Sequence, residues 1–313
     1  MMRVVFMGTP DFAVRSLEAL ADSDNEVVLA VSQPDAAKDR GKKIKPTPVK
    51  AAAMERGIPV FQPEKLDEDA IATIAEAKGD IIVVTAYGKI LPKAVLRMPK
   101  YGRINAHASL LPKYRGSAPM QHAILSGDEM TGVTIMQLDE GMDTGDMLAK
   151  AETPVDGKDL EDLHDELAEM GGRLFVETLA GLEAGTVVPE KQDDDLASYA
   201  PMISKKDGLI DFTRSAKEIE RKVRAYRPWP GAFTYLGGDI FKIWKVEVSD
   251  GMQYDARPGE VVNVASDGIE VSCGEGSLIL KEVQSPGKKR MSAGDWLKGK
   301  NIEIHTVLGY NEG

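Results

Sequence analysis

The sequence of 313 residues has one cysteine, Cys273, and four histidines. A single cysteine excludes an intramolecular disulfide framework and a cysteine-rich zinc site, and it suits a reducing compartment. No apolar run approaches the roughly 18 residues that a membrane span needs; the longest candidate is residues 81–88. The N-terminus enters Arg3-Val-Val-Phe-Met7 without the basic segment and apolar core of a secretory signal, so a cytoplasmic protein with no membrane partner is expected. Neither a G-x-G-x-x-G run nor a lysine-bearing phosphate loop is present, which argues against a dinucleotide or nucleoside-triphosphate cofactor. Positive charge is in deficit. With 39 Lys+Arg against 50 Asp+Glu the net charge is -11, which speaks against a non-specific nucleic-acid binder, and no DNA partner is expected.

What is present describes a globular chain. Hydrophobic residues make up 42% and charged residues 28%, and the length suits two domains better than one. The charge is unevenly spread: residues from Lys206 onward are neutral, and the first 205 carry the whole deficit. Inside that acidic part lies one basic patch, Lys38, Arg40, Lys42, Lys43, Lys45 and Lys50, interrupted by Asp39. It is either a solvated loop or a local guide for one anionic partner.

Runs at Arg3–Met7, Glu26–Val31, Ile81–Thr85 and Arg103–His107 predict strands, most of them apolar throughout, as in sheets covered on both faces. Thr9-Pro10-Asp11 follows the first and predicts a helix capped by Thr9, with Ala13, Leu17 and Leu20 on one face. The alternation predicts a doubly wound, Rossmann-like α/β domain over residues 1–188. Residues 189–207, rich in acids, prolines and small polar groups, predict a linker. From 208 to 313, a helix opened by the capping box Ser215-x-x-Glu218 precedes five short β runs separated by glycine turns. These predict a small OB-like β-barrel. The stripe Lys217, Arg221 and Arg224 on that helix is a weaker candidate for phosphate contact than for a solvated face.

Among the histidines, His122 and His164 fall in polar helical stretches that suit exposed positions, and His305 has no evident partner. His107 differs. It ends a predicted strand with Asn105 on the same face, where an open α/β sheet binds its ligands. Two readings stand at this point: a strand-end histidine satisfied by backbone groups, or an imidazole nitrogen reaching into open water beside a carboxamide. Ser109-Leu110-Leu111-Pro112 either walls a pocket or packs as an ordinary loop. Asp139, Glu140, Asp143 and Asp146 cluster in a glycine-bearing connection, and any of them could face the imidazole. An Asn, a His and an acid brought together suit acyl transfer to an amine: the His moves the amine proton, the carboxamide donates to the developing oxyanion, and the acid steadies the charge.

Asn105-Ala-His107-Ala-Ser109-Leu-Leu-Pro112, followed by Asp143 in Met-Asp-Thr-Gly, resembles the folate-dependent formyltransferase family. Phe6-Met-Gly-Thr-Pro-Asp-Phe12, Gln33-Pro-Asp35, Arg40-Gly-Lys-Lys43, Ala86-Tyr-Gly88, Gly116-Ser-Ala-Pro119, Ile210-Asp-Phe212 and Pro228-Trp-Pro230 resemble the branch of that family that acts on methionyl-tRNA. The resemblance implies transfer of a formyl group from 10-formyltetrahydrofolate to the α-amino group of initiator methionyl-tRNA, and implies no metal. It assigns catalysis to Asn105, His107 and Asp143, and folate contact to Ser109, Leu110, Leu111 and Pro112. Contact with tRNA falls on Arg40, Lys42, Lys43 and Lys45, and on the second domain. A formyltransferase of the same fold acting on an amino sugar nucleotide would share the Asn-His-Asp set without needing the basic loop. A catalytically silent folate- or tRNA-binding module would tolerate loss of His107. The tail from about Asn301 matches no motif.

Overall fold

The structure, a computed structural model, describes residues 1–38, 43–249 and 255–309. The chain packs as two units. The first comprises Met1–Pro119, Met130–Pro154 and His164–Ala200; the second comprises Met120–Glu129, Val155–Leu163 and the chain from Pro201 onward.

In the first unit seven strands form one sheet: β1 (Arg3–Gly8), β2 (Glu26–Val31), β3 (Val60–Phe61), β4 (Ile81–Thr85), β5 (Arg103–His107), β6 (Met130–Gln137) and β7 (Met147–Pro154). Their spatial order is β7-β6-β5-β4-β1-β2-β3. The run from β5 to β3 is parallel, and β6 and β7 add an antiparallel edge. Alternation along β1 assigns its two faces. Val5 and Met7 join a core with Ile74 and Val95 from helices Glu68–Glu76 and Lys93–Leu96. On the other face Gly8 lies so close to Ala13 of helix α1 (Asp11–Ala21) that a Cβ there would sit 2.8 Å from the Ala13 Cβ. Helices on both faces explain why these strands are apolar throughout. The long helix Leu160–Ala184 also belongs to this packing: a Cβ on its Gly172 would come within 2.8 Å of the Arg15 carbonyl.

The cap predicted at Thr9 is not made. Helix α1 starts one residue later, with Pro10 as N-cap and no side-chain bond. The Thr9 hydroxyl instead donates to the Tyr87 carbonyl at 2.9 Å and accepts from the Gln33 amide. A fixed carbonyl across the sheet thus wins over the local cap.

The stretch predicted as a linker is also different. Up to Ala200 it packs within the first unit: Glu190 bridges Met147, and Tyr199–Ala200 pairs in parallel with Arg115–Gly116. Residues 120–129 and 155–163, expected in the first domain, pack with the second unit.

The second unit contains an antiparallel sheet of β8 (Ala232–Leu236), β9 (Asp239–Val248), β10 (Val261–Ala265), β11 (Gly268–Ser272) and β12 (Ser277–Gln284), in the order β8-β9-β12-β11-β10. These are the five predicted runs, to within a residue or so. Met291–Ser292 pairs with β12. The helix Ala216–Ala225 carries the capping box read from the sequence: the Ser215 hydroxyl accepts from the Glu218 amide, and the Glu218 carboxylate accepts from the Ser215 amide. Its Ile219 and Val223 share a core with Phe241, Ile243 and Leu278. Two members of the basic stripe on this helix turn toward protein groups, while Lys217 is exposed. Arg224 binds Glu220 and the Lys158 carbonyl, and the Arg221 guanidinium lies against Gly127. His305, for which no partner was expected, has Nδ1 2.7 Å from Glu260 Oε1, and this bond holds the Glu260 carboxyl below its ordinary range.

Candidate active site

Strand β5 is the element that carries the site. Its register sets Asn105 between Val84 and Met136, and His107 beside Thr134. Both side chains therefore emerge toward the carboxyl end of a sheet strand, the end outside which open α/β sheets bind ligands. Asn105 is half-buried.

His107 is buried, with its side chain 7% exposed, so the expectation of a nitrogen in open water is corrected. Its surroundings at both ring nitrogens are polar. Nε2 lies 2.8 Å from the Tyr114 carbonyl. A carbonyl can only accept, so Nε2 carries hydrogen and the neutral ring keeps its lone pair on Nδ1. Nδ1 lies 3.7 Å from Asp143 Oδ2, beyond hydrogen-bond length but close enough for an ion pair once the ring gains a proton. Of the four acids in the connection, Asp143 is the one brought to the imidazole. Asp139 is occupied by the Thr144 hydroxyl and the Gly141 amide, and Glu140 pairs with Lys93.

Both groups that face the ring come from residues in left-handed backbone, Tyr114 at φ 61 and Asp143 at φ 55. Neither is glycine, so each carries a cost of about 1 kcal/mol or more that the surroundings must offset. The surroundings are specific. The Tyr114 amide donates to the Ser198 hydroxyl, and the Gly116 amide donates to Asp143 Oδ2 at 2.8 Å. Gly116 has φ 112, and a Cβ there would stand 2.9 Å from the Ala200 carbonyl, so only glycine allows this approach.

The stretch 109–113 is held from β6. Thr134 Oγ1 donates to the Ser109 carbonyl at 2.7 Å and accepts from the Leu111 amide at 3.1 Å. Ser109 is buried with its hydroxyl on the Lys113 carbonyl, and Leu111 is buried with Met136 and Met147. Leu110 and Pro112 keep partial exposure.

The basic loop is only partly in view. Arg40 and Lys42 lie outside the described residues. Lys43–Lys45 forms one strand of a short hairpin with Ala36–Lys38, and Lys45 is exposed. Lys50 is withdrawn from the patch: its Nζ lies 2.6 Å from Asp35. Asp35 also accepts from Gln62 at 2.7 Å and from the Thr47 amide at 3.3 Å, which ties the base of the hairpin. The Gln62 bond and then the Lys50 bond hold the Asp35 carboxyl below its ordinary range.

A strand-end imidazole faced by a loop carboxylate, with a carboxamide two residues back on the same strand, is an arrangement that suits acyl transfer. Residues 2–179 match the formyl transferase family, and residues 202–301 match the formyl transferase C-terminal domain. The chain belongs to the formyl transferase family. Within it, the chain is similar over nearly its whole length to proteins named methionyl-tRNA formyltransferase. That of Citrifermentans bemidjiense is 49% identical over 310 residues, 98% of this chain and 96% of the relative. That of Lachnospira eligens is 46% identical over 314 residues, 98% of this chain and 100% of the relative. In fold, the chain is similar to an N-formyltransferase from Helicobacter canadensis solved with folinic acid and dTDP-3-aminofucose. The TM-score is 0.68 at 20% identity, over 91% of this chain and 100% of that one. Among the described residues no helix is long and apolar enough to cross a membrane.

Proposed function

We propose that this protein transfers a formyl group from 10-formyltetrahydrofolate to the α-amino group of initiator methionyl-tRNA, in the cytoplasm. The amine nitrogen forms a bond to the formyl carbon, and the bond from that carbon to the folate nitrogen breaks. Asn105 donates from its carboxamide to the formyl oxygen as negative charge grows there. His107 takes the amine proton on Nδ1, the nitrogen left with a lone pair by the Tyr114 bond, and the proton passes to the departing folate nitrogen. Asp143 pairs with the imidazolium while the ring is charged. Residues 109–112 contact the folate, with Leu110 and Pro112 offering surface and the others offering backbone.

The observation that carries this reading is the His107 ring, polarised from one side by Tyr114 and faced on the other by Asp143, two residues along the strand from Asn105. For the tRNA, support comes from a basic hairpin in an otherwise acidic unit, which would offset repulsion between a chain at -11 and the phosphates. Arg40, Lys42, Lys43 and Lys45 would approach the tRNA there.

The test supplies purified protein with 10-formyltetrahydrofolate and charged initiator and elongator methionine tRNAs side by side. The expected result is formylation of the initiator in strong preference. Formylation of an amino sugar nucleotide with neither tRNA modified would overturn the reading.

A further inference from the structure

Between Asp143 and the buried Arg115 stands a side chain that no motif marked. Gln192 is 5% exposed and Arg115 is 2% exposed. Gln192 Oε1 accepts from Arg115 Nε at 3.0 Å, and Nε2 donates to two carbonyls, Asp143 and Gly145, each at 2.8 Å. The orientation of the amide is fixed by its partners, since a guanidinium can only donate and a carbonyl can only accept. Every amide hydrogen is used. The two carbonyls flank Thr144, so one side chain grips both ends of the turn that holds Asp143 in left-handed backbone. Arg115 is itself anchored by Asp194 at 2.8 Å, and it lies between Tyr114 and Gly116, whose carbonyl and amide bind His107 and Asp143.

We infer that Gln192, held by Arg115, is a positioning residue for catalysis: it fixes the Asp143 turn so that the carboxylate faces His107 Nδ1. Gln192 touches neither the imidazole nor any group that changes bonding. It acts by keeping Asp143 at the separation from which an ion pair forms when the ring accepts a proton. The inference rests on the formyl-transfer reading above and adds to it a residue 49 positions distant from the acid it serves.

The test is a double-mutant cycle in single-turnover formyl transfer to initiator methionyl-tRNA, with folate binding measured separately. Gln192→Leu in the otherwise natural protein should lower the transfer rate roughly tenfold to a hundredfold, the cost of a misplaced catalytic group, with folate KM unchanged within about twofold. In an Asp143→Asn background the same change should cost less than about twofold, because the group it positions is already gone. Equal losses in both backgrounds, or a rise in folate KM with the rate kept, would overturn the inference. If Gln192→Leu fails to fold, Gln192→Glu carries the same comparison: it keeps the Arg115 contact and loses both donors. Absence of transfer by the natural protein would sink the reading of function and the inference together, whereas transfer that ignores Gln192 sinks the inference alone.

Discussion

Asp35 illustrates how one side chain can tie the base of a basic hairpin. Its carboxylate closes the base of the basic hairpin through Lys50, Gln62 and the Thr47 amide. These bonds lower its pKa, chiefly through Gln62 and then Lys50. The folded state therefore favours the charged form. Its contribution to stability is complete above the ordinary carboxylate value, about 4, and fades as pH falls through the lowered native value. Asp35→Asn should unfold at a lower temperature near neutrality and show a shallower loss toward acid than the natural protein. Melting curves at several pH values check this; parallel curves would contradict it. The same residue shows what a local reading of charge overlooks. Lys50 counted as part of the basic patch in sequence, yet its charge is spent on an acid 15 residues away.

At the scale of elements, strand β6 serves as the clamp for the stretch 109–113, which the proposed function sets against the folate. Thr134 alone supplies a donor to Ser109 and an acceptor to Leu111, and it is wholly buried. Thr134→Val keeps the shape and leaves the Leu111 amide without its partner, a loss of about 1–3 kcal/mol. Both a lower unfolding midpoint and a higher folate KM are expected, and an unchanged midpoint would count against the clamp. Elements of this kind separate what the sequence discloses from what it hides. Strands β1, β2 and β4 were legible because burial on both faces leaves nearly unbroken apolar runs, whereas in β5 period-two alternation put Asn105 and His107 together. The motif then singled out Asp143 from four neighbouring acids. Tyr114, Thr134, Ser198 and Gln192 were not legible. Their roles rest on single bonds that involve backbone groups, most of them made to residues distant in the chain, which leave no periodicity and no charge pattern. The cap expected at Thr9 failed for the same reason, since the competing Tyr87 carbonyl lies 78 residues on.

For the whole molecule, the question is how a protein of net charge -11 engages a polyanion. If the hairpin supplies the local attraction, binding depends on a few lysines and arginines and weakens steeply with salt. Arg40→Ala with Lys42→Ala should raise KM for the tRNA and flatten its salt dependence, while the folate KM stays put. Equal losses for both substrates would move the tRNA contact elsewhere. The stripe on helix Ala216–Ala225 is a poor substitute, because Arg224 is already paired inside its own unit.

The account stands or falls with proton transfer at His107. The most direct measurement is the single-turnover rate of formyl transfer by His107→Ala at saturating 10-formyltetrahydrofolate and initiator methionyl-tRNA. The predicted result is a rate lower by roughly a hundredfold to ten-thousandfold, with the binding of both substrates retained. A variant that transfers formyl at the natural rate would contradict it.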